Sequence, residues 1–373
     1  MIDAAHGLGP DIAACADSID ANGRLPEALA RQMTDARIFQ MYLPAAVGGA
    51  DVDPLVAYSV CEALARRDGS VGWCAQVSAA VTIFLAWLDP AAVATMADLT
   101  DGPIHVAGSA RALGTAESVE GGYLASGQWN YASGIRHANW FMATCLIERN
   151  GRPPAPRTMF IPVADGHIVD NWQVVGMRGT GSDDFVLDRV FVPQERVAAR
   201  HWIEHARARS SERSISDPRL GMVGAWVPTA GVGVGLAQGA LDALLDLGDV
   251  ASAGSPEPLR TRPAVQEAVA DAEAITGAAR AFAIETFAEV WDALADGGPR
   301  LDRAVARAQL AITHSLNEAV RVADLAFRAG GTNAISTRNR LERYLRDAHT
   351  AVQHAAGQRI HMRTAGQALL ELS

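Results

Sequence analysis

The sequence predicts an α+β protein: an N-terminal helical domain, a central antiparallel β-sheet domain and a C-terminal helical bundle. Three observations predict it. Helical periodicity runs from Asp11 to about Leu99, the period changes from 3.6 to 2 around Gly102-Pro103, and the helical pattern resumes from about Leu220 nearly to Ser373. At 373 residues and 49% hydrophobic content the chain can bury sizeable cores without staples. The expected divisions are 1–101, 102–205 and 206–373.

In the first region, apolar residues return every three or four positions through Leu55-Val56-Ala57 and Val60 to Ala65. Asp53-Pro54 and Asp89-Pro90 each offer a helix start with proline in the first turn, and Pro44 to Gly49 and the Arg67-Asp68-Gly69-Ser70 corner break the pattern. The middle region carries β-type runs at His105 to Ser109, Trp140 to Ile147, Thr158 to Val163 and Asp184 to Pro193, with a Gly121-Gly122 turn between two runs. The third region is broken at Gly254-Ser255-Pro256, Gly297-Gly298-Pro299 and Gly330 to Asn333.

Composition removes several functions. The net charge is −10 with no run of like charges, so nucleic acid is not an expected partner. Every basic residue is Arg and none is Lys, which excludes a lysine Schiff base and a Walker lysine. Cys15, Cys61, Cys74 and Cys145 are scattered without a CxxC pair, supporting neither a zinc site nor a disulfide framework and fitting a reduced cytoplasm. The first residues carry no basic-then-apolar segment, and no stretch reaches the ~18 uninterrupted apolar residues of a membrane span, so no membrane partner is expected.

Several strings could carry chemistry. Gly231-Val232-Gly233-Val234-Gly235 has no βαβ unit around it, so close helix packing outweighs dinucleotide binding. In Gly127 to Gly134, Trp129 and Tyr131 alternate along an expected strand and meet Ser133 and Gly134 at its end. Such an end suits a planar ring with hydrogen bonds to its edge, and equally a buried aromatic pair with an ordinary turn. Placed on one helix, Asp347 and His354 lie seven residues apart on the same stripe, with His349 turned away. His354 is either a catalytic imidazole or a histidine packed in a long helix. His137 reads as solvent-exposed or structural rather than catalytic, and His201 and His205, lacking a third ligand, as a surface pair rather than a metal site.

Taken together, Pro44 to Gly49 with Glu62 to Arg66, Trp129 to Gly134, Gly176 to Ser182 leading to Val192-Pro193, and Gly330-Gly331-Thr332 before Arg346-Asp347 resemble the acyl-CoA dehydrogenase superfamily. The finer spelling resembles its group D two-component flavin-dependent monooxygenases in three places: Gly69 to Trp73, Trp129 to Gly134 with His137 and Trp140, and Arg346-Asp347 followed by His354. Where many dehydrogenases carry a catalytic glutamate after Arg-Asp, this chain offers only histidines until Glu371.

The resemblance implies an oxygenase component that hydroxylates a small aromatic or polycyclic substrate through a C4a-hydroperoxyflavin. It implies reduced FMN or FAD supplied by a separate flavin reductase, and a homotetramer. It places the flavin at Trp129, Tyr131, Ala132, Ser133, Gly134, Gly331, Thr332 and Arg262, the substrate at Trp73 and His349, and catalysis at His354 and Ser133, with no metal. Some relatives carry a histidine facing the substrate where this chain has Ala75 to Ala80. Arg262 and Gln266 resemble a pair that dehydrogenases use on the FAD pyrophosphate of a neighbouring subunit, which keeps an FAD-dependent acyl-CoA dehydrogenase as an alternative. A catalytically silent paralogue is the other.

Overall fold

Three of the six N-terminal helices begin where a short acidic side chain satisfies orphan backbone N–H groups. In the computed structural model, which describes residues 1–99, 102–149, 152–198, 214–253 and 255–370, α1 (Ile2–Gly7), α2 (Gly9–Asn22) and α3 (Glu27–Asp35) lead to α4 (Pro54–Ala65), α5 (Gly69–Thr82) and α6 (Pro90–Leu99). Asp53 accepts from the Leu55 N–H at 2.7 Å, Asp68 from the Ser70 and Val71 N–H groups at 2.9 and 3.2 Å, and Asp89 from the Ala91 N–H at 2.9 Å. The Gly69–Trp87 stretch has the length and hydropathy of a membrane span, yet 78% of it is buried inside the protein as a core element.

Six strands follow: β1 (Val106–Val119), β2 (Gly122–Trp129), β3 (Trp140–Arg149), β4 (Arg152–Pro162), β5 (His167–Val169) and β6 (Asp184–Pro193), in the order β4-β3-β1-β2-β6-β5. Gly121, at φ +78°, turns β1 into β2. All neighbours are antiparallel except β1 and β3, which pair in parallel from Val106 beside Trp140, so the sheet is mixed rather than purely antiparallel. The hairpin returns the chain to the end where β1 began. Residues 130–139 cross that end, and a strand starting there beside β1 must run in its direction.

The last third comprises α7 (Met222–Asp246), a two-stranded ladder of β7 (Ala251–Ser252) and β8 (Ser255–Pro258), then α8 (Pro263–Asp296), α9 (Gly298–Gly330), α10 (Leu341–Ala351) and α11 (Ile360–Leu369). The ladder was not anticipated, because its residues read as a turn. The glycine string lies in α7 and does serve close packing. A Cβ on Gly231 would stand 2.2 Å from the Tyr58 carbonyl oxygen of α4, one on Gly235 2.5 Å from that of Glu62, and one on Gly233 2.8 Å from the Ser315 backbone of α9.

Buried residues from α1 through α5 and from α7 through α10 form one continuous apolar core, so the two helical regions of the sequence close on each other. The sheet has its own core around Trp129, Phe141 and Phe185, and a smaller cluster joins α6 and the end of α5 to Trp140 and Phe160. The expected boundaries at 101/102 and 205/206 fall at positions outside the described residues, as do His201 and His205.

Candidate active site

Where α5, the β2–β3 connection, α7 and the end of α10 meet, they enclose a cavity of about 490 Å³, within the size range of small-ligand sites. From α5 come Trp73, Gln76, Val77, Ala80 and Val81, a stripe at helical spacing that Phe84 continues from the 3-10 turn after it. The sheet side contributes Ser109, Arg111, Asn130, Tyr131, Ser133 and Met142, and α7 contributes Met222 and Trp226. His354 enters from beyond α10. Among the described residues the lining contains no Asp or Glu.

Ser133 is buried and sits in a chain of hydroxyls. Its Oγ accepts from the Trp73 Nε1–H at 3.2 Å and lies 2.7 Å from the Ser182 Oγ, which lies 2.6 Å from the Thr180 Oγ1. Thr180 in turn donates to the Met177 carbonyl at 2.8 Å. With that proton committed, Ser182 donates to Thr180 and Ser133 to Ser182. If the chain reverses, the Ser133 proton is released toward the cavity. The hydroxyl is therefore a donor that neighbouring groups can switch.

The same Trp73 indole meets the His354 imidazole edge-to-face at 5.2 Å, and Trp226 meets it from another side at 5.8 Å. Burial, and then the nearby His361, lower the His354 pKa to about 4, so the ring is neutral above about pH 5. Its Nδ1 accepts from the Ala356 N–H at 3.2 Å, which assigns the remaining proton to Nε2. His354 thus presents an N–H donor.

His354 is not on the helix that carries Asp347. α10 ends at Ala351, and His354 is the extended residue (ψ 151°) that caps the next short turn. Asp347 points elsewhere: its Oδ1 accepts from the Met177 N–H at 2.5 Å, fixing the 176–182 loop that carries Thr180 and Ser182. Burial, and then the neighbouring Asp68, raise the Asp347 pKa to about 7. Burial likewise raises Asp68 to about 6.

The other expected site residues divide. Trp73, Tyr131, Ser133 and His354 line one cavity. Tyr131 stands at φ +62° with its ring 60% exposed, edge-to-face with Trp172 at 6.0 Å, so it follows β2 rather than alternating with Trp129 along it. Trp129 is wholly buried in the sheet core, donating to the Thr144 carbonyl, and does not line the cavity. The N–H groups of Ala132, Ser133 and Gly134 are taken by Asp183, Tyr131 and Thr180 carbonyls, leaving none for a cofactor edge. His349 lies outside the cavity and pairs with Asp324 at 3.0 Å, because Asp324 on α9 faces its side of α10.

Arg262, Gly331 and Thr332 cluster together away from the cavity. Arg262 donates to the Ser252 Oγ at 2.7 Å, Gly331 sits beside Ser252 at φ +57°, and Thr332 accepts from the Ala253 N–H at 3.1 Å. Sequence reasoning missed Gln76, Thr180, Ser182, Trp172 and Trp226 as lining. For Gln76 a signal existed: it is a polar residue inside an apolar helical run. His137 is half-buried and does not line the cavity, its pKa lowered to about 4 by burial and by Arg24 and Arg136.

Family profiles for the acyl-CoA dehydrogenase N-terminal and C-terminal domains match residues 9–88 and 228–359. The chain belongs to the acyl-CoA dehydrogenase superfamily. Within the superfamily it is 28% identical over 337 residues to the flavin-dependent monooxygenase oxygenase subunit HsaA of Rhodococcus jostii, covering 89% of this chain and 88% of the relative. It is 29% identical to an indole-3-acetate monooxygenase of Pseudomonas putida, over 93% and 90% of the two chains. The crystal structure of the HsaA monooxygenase from M. tuberculosis superposes with a TM-score of 0.88 at 26% identity, covering all of this chain and 98% of the other. The superfamily member described here keeps the helix–sheet–helix order of that structure, and among the described residues no Asp or Glu lines its cavity.

Proposed function

We propose that this chain is the oxygenase component of a two-component flavin-dependent monooxygenase, hydroxylating a small aromatic or polycyclic substrate. The single observation that carries this reading is the line Ser133–Trp73–His354 along an apolar cavity that no carboxylate lines among the described residues. A planar isoalloxazine fits the wall formed by the exposed Tyr131 ring and the Ser133 hydroxyl. Reduced FMN or FAD, delivered by a separate reductase, supplies the activation of dioxygen.

The chain's own residues then have defined tasks. Ser133 presents a hydroxyl to the flavin edge, and the Ser182–Thr180 relay sets whether it donates or accepts. His354, neutral with its proton on Nε2, donates to an oxygen on the substrate or oxidant; this donor role replaces the base expected from the sequence. Val77, Ala80, Val81, Phe84, Met142 and Met222 exclude water. The Arg262, Gly331 and Thr332 cluster holds the flavin phosphates of a neighbouring subunit in a homotetramer, which explains its distance from this chain's own cavity.

The test is to mix anaerobic protein and reduced FMN with oxygenated buffer and follow hydrogen peroxide release. The protein should slow release relative to free reduced FMN. His354→Asn should speed it about a hundredfold, whereas His354→Gln, which restores an N–H near Nε2, should retain more of the effect. Release at the free-flavin rate, or reduction of a dye acceptor by an acyl-CoA, would replace this reading with the dehydrogenase or the silent paralogue.

A further inference from the structure

Gln76 is the polar exception on an apolar face. It lies in the middle of α5, one turn beyond Trp73, is 1% exposed, and lines the cavity among Val77, Ala80, Val81 and Phe84. Buried amides are retained at a cost unless hydrogen-bonded, so both ends of this one need an account.

One end has it. The Gln76 Oε1 accepts from the Thr229 Oγ1 at 2.9 Å, and Thr229 is wholly buried in α7. The other end does not. The Nε2 group has no partner among the described residues, and it is absent from the buried side-chain atoms sealed off without one, which places it at the cavity surface. Because Thr229 fixes the amide oxygen on the protein side, the two N–H donors face the space a substrate would occupy. The donor is neutral, and the cavity beside it is apolar, with no carboxylate in its lining among the described residues.

We propose that Gln76 is a specificity-determining residue of this cavity, donating from Nε2 to a carbonyl or hydroxyl oxygen on a fused-ring substrate whose hydrocarbon body lies along the α5 stripe. Thr229 is the positioning residue that orients the amide. The assignment rests on the oxygenase reading for the reaction but not for the binding. A site built to hydrogen-bond an oxygen discriminates against the analogue lacking it, because the buried donor is then left unpaired.

The experiment compares 1-tetralone with tetralin, two bicyclic probes that differ by one ketone oxygen. Their dissociation constants are measured by equilibrium dialysis against the full chain with oxidised FMN present. Desolvation of the ketone is common to all variants, so the informative quantity is the change in the tetralin-to-tetralone ratio. Gln76→Leu should lower that ratio about tenfold, the worth of one neutral hydrogen bond. Thr229→Val, which keeps the side-chain shape, should lower it about two- to threefold. A ratio unmoved in Gln76→Leu, or no binding of either probe to the unaltered chain, overturns the proposal. The reaction is judged separately by the reduced-flavin mixing experiment. A collapsed ratio with peroxide released there at the free-flavin rate leaves the Gln76 assignment standing and removes the oxygenase.

Discussion

Gly231→Ala should destabilise the protein even though alanine is the better helix former. Gly231 is interior to α7, and the added methyl would sit 2.2 Å from the Tyr58 carbonyl oxygen and 3.1 Å from the Glu62 nitrogen, both backbone atoms of α4. Ordinary contact begins near 3.4 Å, so the two helices would have to part by about 1.2 Å. Tilting gives no relief, because Gly235 holds α7 as tightly against the Glu62 carbonyl one turn along. Overpacking of this kind costs about 1 to 3 kcal/mol, and here the upper end applies because backbone cannot rotate away. Helix propensity returns roughly 1 kcal/mol, leaving a net loss of about 2 kcal/mol. Gly277→Ala is the matched control: it lies inside α8 with nothing within 4 Å of a Cβ, so only the propensity gain of about 1 kcal/mol remains. Thermal midpoints compared at one protein concentration should fall for Gly231→Ala and rise for Gly277→Ala, by roughly 2 °C per kcal/mol. A Gly231→Ala midpoint at or above that of the unaltered chain would refute the close-packing account of the glycine string.

Three further outcomes follow from the titratable groups. Asp347 keeps its proton on folding up to about pH 7, so its contribution is fully present below about pH 4 and lost as pH rises through 7. Asp347→Asn retains an acceptor for the Met177 N–H, and its stability relative to the unaltered chain should therefore improve by on the order of 1 to 3 kcal/mol between pH 4.5 and pH 8 in urea titrations. Burial lowers His105 to about 3 and His137 to about 4, so the unfolded chain binds more protons below pH 6.5 and stability should fall on acidification toward pH 4. His137→Asn should flatten that slope in the same titrations. His349→Ala should change stability by less than about 0.5 kcal/mol and leave turnover unaltered, because the His349–Asp324 pair is exposed on both sides.

Those features that rest on local spacing were legible in the chain. Asp53 and Asp89 cap the helices they precede, Arg67 to Ser70 breaks the pattern between two helices, Gly121-Gly122 turns one strand into the next, and the change of period marks the sheet within a few residues. What depends on where the chain returns to was hidden. The parallel pairing of β1 and β3 follows from the crossing of residues 130–139, and the burial of Trp129 needs Gly114 and Gly127, where a Cβ would stand 2.2 and 2.9 Å from its indole. Tyr131 was placed beside Trp129 by strand alternation, but its left-handed backbone turns the ring out toward the cavity. Gln76 and Ser182 become site residues only once α7 and the 176–182 loop close over α5.

The Arg346-Asp347…His354 segment brings His354 to the cavity by a route other than the helical stripe expected from its spacing. Seven residues along a helix would aim His354 where Asp347 aims, toward the Met177 N–H and Gly69, a direction already filled by the 176–182 loop and the start of α5. The helix instead stops at Ala351, and an extended residue at 354 carries the imidazole between Trp73 and Trp226. The two ends of the segment therefore do different work on one cavity. Arg346 ties α10 to Asp20 at 3.2 Å and to the Val175 carbonyl at 2.7 Å, while Asp347 pins the loop whose hydroxyls reach Ser133. His354 lines the same cavity, its Nδ1 accepting from the Ala356 N–H. The spacing matters because it lets a rigid clamp and a side chain beyond the helix end be positioned by the same helix.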